Sequence, residues 1–83
     1  MGARELWEAT LDTRRRVLGP EHPDTSTCAW RLFRTLQDLG ELGEGLGVLE
    51  RDLLWLVNRD ATILGADQRA IRKYVARAIK KDG

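Results

Sequence analysis

Four sets of residues in this chain are of types that do chemistry. His22 stands two residues before Asp24, and both side chains can move protons. No serine–histidine–acid order and no nucleophile motif accompanies them, so acid–base catalysis lacks its other participants and the histidine reads as a helix cap. Cys28 is the one cysteine. It cannot form an internal disulfide, it has no Cys/His cluster of metal-ligand spacing around it, and its apolar neighbours make it a small core residue. Gly40, Gly43, Gly45 and Gly47 could suggest a phosphate-cradling loop, but they follow a helical pattern where such a loop follows a strand. The basic run Arg14-Arg15-Arg16 and the cluster Arg69, Arg72, Lys73, Arg77, Lys80 and Lys81 could touch phosphates. Acids elsewhere balance both, which is the usual sign of solvated helix faces. Nucleic-acid binding through the basic last helix is the weakest reading, and it would show affinity falling steeply with salt. The expectation is a chain without catalytic residues, metal or cofactor.

The elements that must position these side chains are bounded by length and composition. A chain of 83 residues has room for one domain, which buries roughly 60 to 65 per cent of the surface exposed by its unfolded form. Apolar residues are 42 % and charged residues 33 %, which suits amphipathic helices. Fourteen basic side chains against thirteen acidic give a net charge of +1, so the molecule as a whole offers no strong field to nucleic acid or an anionic membrane. The N-terminus lacks the apolar core of a signal peptide. The longest apolar run, Leu53 to Val57, is five residues, where a membrane span needs about 20. The expected compartment is cytoplasmic.

The stretch from Val17 to Gly45 organises the rest. Leu18-Gly19-Pro20 ends one helical pattern, His22-Pro23-Asp24 opens the next, and Leu39-Gly40-Glu41-Leu42 closes it and turns the chain back. Periodicity predicts four helices, at about 3–18, 23–39, 42–64 and 67–81. The first puts Ala3, Leu6, Trp7, Thr10, Leu11, Val17 and Leu18 on one side. The second carries the most regular stripe: Thr25, Cys28, Ala29, Leu32, Phe33, Leu36 and Leu39. In the third, Leu42, Leu46, Leu49, Leu53, Leu56, Val57 and Leu64 share a face that Val48, Leu54 and Trp55 widen, which predicts the most buried helix of the stack. The last, with Asp67 as its N-cap, sets Ile71, Tyr74, Val75, Ala78 and Ile79 against the core as a terminal lid.

Self-comparison at a spacing of 42 sets Ala3, Leu6, Glu8 and Leu11 over Gly45, Val48, Glu50 and Leu53, and a spacing of 46 sets Val17-Leu18-Gly19 over Ile63-Leu64-Gly65. The second copy carries four extra residues, about one helical turn. A period near 42 made of paired helices signals a solenoid. Val17 to Thr25, VLGPEHPDT, resembles the LGxxHPxT joint of tetratricopeptide repeats of the kinesin light chain type, common in bacterial arrays. Gly40, Leu42 and Gly45 are similar to that family's turn between its two helices. The resemblance covers residues 3 to 65 well. It departs at Trp30-Arg31-Leu32-Phe33, where the family often has Asn-Asn-Leu-Ala, and at the second joint, which lacks the His-Pro pair.

The resemblance implies an all-α, short right-handed solenoid whose first helix per unit lines a concave surface. Carried over by position, Thr27, Trp30, Arg31, Arg34, Gln37 and Asp38 would line that groove and receive a protein or peptide, with Trp30 and Arg34 as the anchoring pair. The alternative is that Trp30 lies under the first helix and the arginines are merely solvated. The first helix is the second half of a unit, which makes self-association through Leu6 and Trp7, or a place at the C-terminal end of a longer array, the competing expectation. Trp7, Trp30 and Trp55 could all be core, or one could mark an interface.

Overall fold

The computed structural model describes residues 2–81, and side chains as far as residue 78. Among the described residues there are four α-helices and no strand: α1 Ala3–Leu18, α2 Pro23–Asp38, α3 Leu42–Val48 and α4 Ala66–Lys81, with a stretch of irregular helix between α3 and α4. The principal extents are 38 × 32 × 17 Å. The shortest corresponds to two helix layers at the usual interaxial spacing of about 8–10 Å.

Helix α2 is the centre of this arrangement. It packs against α1, α3 and α4, and Thr25, Ser26, Cys28, Ala29, Leu32, Phe33 and Leu36 are buried along it. Its start is held by His22, whose Nδ1 accepts the Asp24 backbone N–H at 3.1 Å, a cap contributing about 1 kcal/mol. Pro23 then occupies the first turn, where its missing N–H costs nothing. Thr25 ties the turn to the preceding helix by donating its hydroxyl to the Gly19 carbonyl at 2.8 Å. At the other end Gly40 takes φ +79°. The Gly40 N–H then bonds the Gln37 carbonyl and the Glu41 N–H the Leu36 carbonyl, which is the Schellman closure that reverses the chain into α3. Leu39, the last member of the expected stripe, is left 59 % exposed by that closure.

The third element differs from the single long helix that periodicity predicts. Regular α-helix ends at Val48, the coil widens to π-helix over Leu49–Leu53, tightens to 3-10 helix over Leu54–Asn58, and resumes as a 3-10 turn at Ala61–Ile63. The cause lies in what its residues must reach. Five consecutive apolar residues, Leu53 to Val57, cannot share one face of an ideal helix, and the change of pitch buries Leu53 and Leu56 completely while Leu54, Trp55 and Val57 stay partly covered. It also turns Asp52 inward, and it frees the Asp52 carbonyl for the Trp55 indole N–H at 2.9 Å. The carbonyls near its end accept the Arg72 guanidinium, whose Nε lies 3.0 Å from the Leu56 and Arg59 oxygens.

This element is therefore not the most buried of the stack. Leu42 and Leu46 are 63 % and 51 % exposed, because the buried side of α3 runs through Gly45 and Val48 and leaves them at its edge. The buried stripe is Gly45, Val48, Leu49, Asp52, Leu53 and Leu56. Gly45 sits where a Cβ would lie 3.7 Å from the Phe33 ring and 3.8 Å from Leu36. A large residue on α2 is thus accommodated by a glycine on α3.

Helix α4 begins at Ala66, with the Arg69 N–H bonded to the Gly65 carbonyl, so Asp67 lies inside the first turn and is not the cap. Ile71 and Val75 are buried, and Tyr74 and Ala78 partly so; Ile79 lies beyond the described side chains. Gln68, 4 % exposed, donates its amide to the Glu21 carbonyl and to the Ser26 hydroxyl, which seats α4 on the first joint. Helix α1 is the least covered. Leu11 is buried, Trp7 is partly buried, and Ala3, Leu6, Val17 and Leu18 face outward.

A cleft between the second and fourth helices

The face of α2 that is turned away from α3 carries Thr27, Trp30, Arg31, Arg34, Thr35 and Asp38, spaced 3, 1, 3, 1 and 3 residues apart along one side of the helix. Together with Trp7 of α1 and Asp67, Ala70 and Ile71 of α4 they line a cleft of about 540 Å³. That is the size of an ordinary ligand site. Five of the six residues expected to line a groove meet here; Gln37, half-buried, is not among the lining residues.

Trp30 and Trp7 are the aromatic residues that line the cleft, and Trp30 is backed by two further rings. The Trp30 and Tyr74 rings meet edge to face with centroids 4.6 Å apart, and Phe33 lies 5.7 Å from Trp30 and 6.1 Å from Tyr74. Such pairs contribute about 0.5–1.5 kcal/mol each beyond area burial, and they brace α4 against α2. Trp30 thus serves two ends, with part of the ring in the core and part open to the cleft. Above the rings sit two cations. The Arg34 guanidinium lies 5.9 Å from the Trp30 centroid, and that of Arg31 lies 5.7 Å from the ring of Trp7. Among the described residues neither forms an ion pair. Asp38 and Asp67 stand at the rim, both exposed and likewise unpaired.

Leu6 and Trp7, expected to act together at an open end, point in different directions. Trp7 turns inward to Arg31 and also accepts, through its carbonyl, a weak contact from the Cys28 thiol at 3.8 Å. Leu6 alone faces out, 55 % exposed. Cys28 is buried, and that burial pushes its thiol pKa up despite Arg14 and Arg15 nearby. The thiol is therefore poorly placed to act as a nucleophile.

The basic clusters are dispersed. Arg15 pairs with Asp52, Arg16 with Asp12 and Arg14 with Asp24, while Arg72 is consumed by backbone carbonyls. Asp52 is the residue the periodic pattern hides: its side chain is 3 % exposed, and Arg15 reaches it with Nε at 2.7 Å and Nη2 at 2.6 Å. Its place on the stripe with Gly45, Val48 and Leu49 is the sequence signal that it points inward. No group of three or more histidines, cysteines or carboxylates among the described residues could hold a metal ion.

Four α-helices stacked side by side, with no strand among the described residues, make this an all-α helical repeat. Residues 2–24, which are α1 and the joint that follows it, match a family model described as a tetratricopeptide repeat. No curated protein and no solved structure matches the chain. No helix among the described residues is long and apolar enough to cross a membrane.

Proposed function

We propose that the chain is a non-catalytic protein-binding module, one helical domain that receives an extended peptide or a partner helix in the α2–α4 cleft. The reading places it in the cytoplasm, as a scaffold of the kinesin light chain type of repeat. The observation that carries it is the pair of arginines, Arg31 and Arg34, each held against a tryptophan face without a carboxylate partner among the described residues. Arg15, by contrast, is paired with a buried carboxylate; these two are oriented and left available. Tryptophan and arginine are also the residue types that most often dominate interface energies.

The test begins with a random peptide library panned on the immobilised chain, followed by titration calorimetry of the selected sequences. Because Trp30 also supports α4, the informative variants are Arg31→Glu and Arg34→Glu. Each should weaken binding by a factor of about 30 or more, equivalent to about 2 kcal/mol, with helical content unchanged. Undiminished binding by the double variant would overturn the assignment.

A second reading, self-assembly, has its own observation in the outward-facing side of α1, where Leu6 and Val17 are 55 % and 74 % exposed.

A further inference from the structure

The charges that line the α2–α4 cleft follow an order along α2. Arg31 and Arg34 stand in its middle, turned onto the faces of Trp7 and Trp30. Asp38 closes the end nearest the α2–α3 turn. Asp67 stands at the opposite end, next to Gln68, whose amide bonds the Ser26 hydroxyl near the start of α2. Arg34 has Asp38 one turn ahead of it and Trp30 one turn behind, and it lies against Trp30. The cleft therefore holds two cations between two carboxylates, all four exposed and none in an ion pair among the described residues. The adjoining hollow past Trp7, about 260 Å³, adds Arg14 and Asp24 to the lining, and these two pair with each other at 4.0 Å. Ala70 and Ile71 make the α4 wall without charge.

Resting on the reading of this cleft as a peptide site, we infer that it selects by charge order: its partner segment is extended and sets two acidic residues between two basic ones. The acidic pair meets Arg31 and Arg34, and the basic residues meet Asp67 and Asp38. Stacking on a tryptophan face leaves the edge of a guanidinium, with its N–H donors, free for a carboxylate. The tryptophans hold the two arginines in place before anything binds, which lowers the cost of ordering them. Length agrees with this. From Ser26, level with Asp67, to Asp38 is twelve positions, roughly 18 Å of helix at about 1.5 Å each. An extended chain covers that in about five or six residues at about 3.3 Å each. A uniformly acidic segment of the same length satisfies the arginines but sets its ends against Asp38 and Asp67, where like charges oppose binding.

The test titrates three end-blocked hexapeptides into the full chain at low salt, where exposed charges are least screened, and follows backbone amide and tryptophan indole NMR shifts. Lys-Ala-Glu-Glu-Ala-Lys has the same charge order in both chain directions. It should bind about tenfold or more tighter than Glu-Ala-Lys-Lys-Ala-Glu, which has the same composition, and tighter than Glu-Ala-Glu-Glu-Ala-Glu. Asp38→Lys suits the last residue of α2, because a cation there opposes the helix dipole. With circular dichroism unchanged, it should weaken the first peptide and strengthen the third. Equal affinity for the first two peptides, or a preference for the uniformly acidic one, overturns the charge order and leaves the cleft a peptide site. So does an Asp38→Lys chain that ranks the peptides as the wild type does. A Trp30 indole that shifts with none of the three, up to about 10 mM, overturns the peptide site and the charge order together.

Discussion

Removing either partner of the Arg15–Asp52 pair should give two quite different costs. The pair joins α1 to the π-helical turn, and the two side chains differ in exposure, 27 % for Arg15 and 3 % for Asp52. Replacing Arg15 with Met keeps the methylene stem but leaves a carboxylate in the core with only Arg51 Nε at 3.2 Å to answer it. Breaking a buried pair in this way costs about 3–5 kcal/mol, and the remaining arginine brings the expected figure to about 3 kcal/mol. Replacing Asp52 with Asn leaves a guanidinium that already reaches water and can rehydrate, for about 1–1.5 kcal/mol. A chain of this size has total stability of roughly 4–12 kcal/mol, so the first change removes a large part of it. Urea denaturation followed by circular dichroism gives both values, and thermal melts should fall by roughly 12–24 °C for Arg15→Met against roughly 4–12 °C for Asp52→Asn. The double replacement Arg15→Met with Asp52→Leu should recover most of the loss, because no charge is left orphaned. Equal costs for the two single variants, or a double variant no better than Arg15→Met, would refute the reasoning.

Other consequences are open to simple measurement. Gly47 faces open space in α3, so Gly47→Ala should raise stability by about 0.5–1 kcal/mol in the same urea assay, whereas Gly19→Ala, forced to keep φ +96°, should lower it by about 1 kcal/mol or more. Cys28 should react with a thiol reagent at least about a hundredfold more slowly in the native chain than in urea, since burial both hides the sulfur and raises its pKa. Asp60 accepts the Thr62 backbone N–H and hydroxyl, and these bonds lower its pKa. Its contribution is therefore present above the ordinary carboxylate value and is lost as pH falls through the lowered folded one. Asp60→Asn should flatten that part of an acid titration of stability.

The sequence made α2 readable because independent signals agree on it: a proline in the first turn, a capping histidine, a 3-4-7 stripe and a glycine at the closing turn. The residues after Val48 carried no such agreement. Leu53 to Val57 satisfies a helix of any pitch, so periodicity could not show where the pitch changes, and the partner that Asp52 finds lies 37 positions away on α1, beyond the reach of a local pattern. The cleft divides in the same way. Thr27, Trp30, Arg31, Arg34 and Asp38 follow from the face of one helix, which a resemblance can carry over position by position. Trp7, Asp67, Ala70 and Ile71 line it only because α1 and α4 pack against α2, α4 being seated by Gln68 on the first joint.

The uneven pitch between α3 and α4 has a geometrical consequence for anything built from this chain. In a solenoid, curvature comes from the rotation between one helical pair and the next. The first joint turns the chain through a capped, tight corner at Gly19 to Pro23, while the second inserts a loosened and then tightened coil followed by an extended step at Arg59 and Asp60. The two rotations are therefore unequal. A longer stack of helical pairs that used both kinds of joint would change its curvature from one pair to the next.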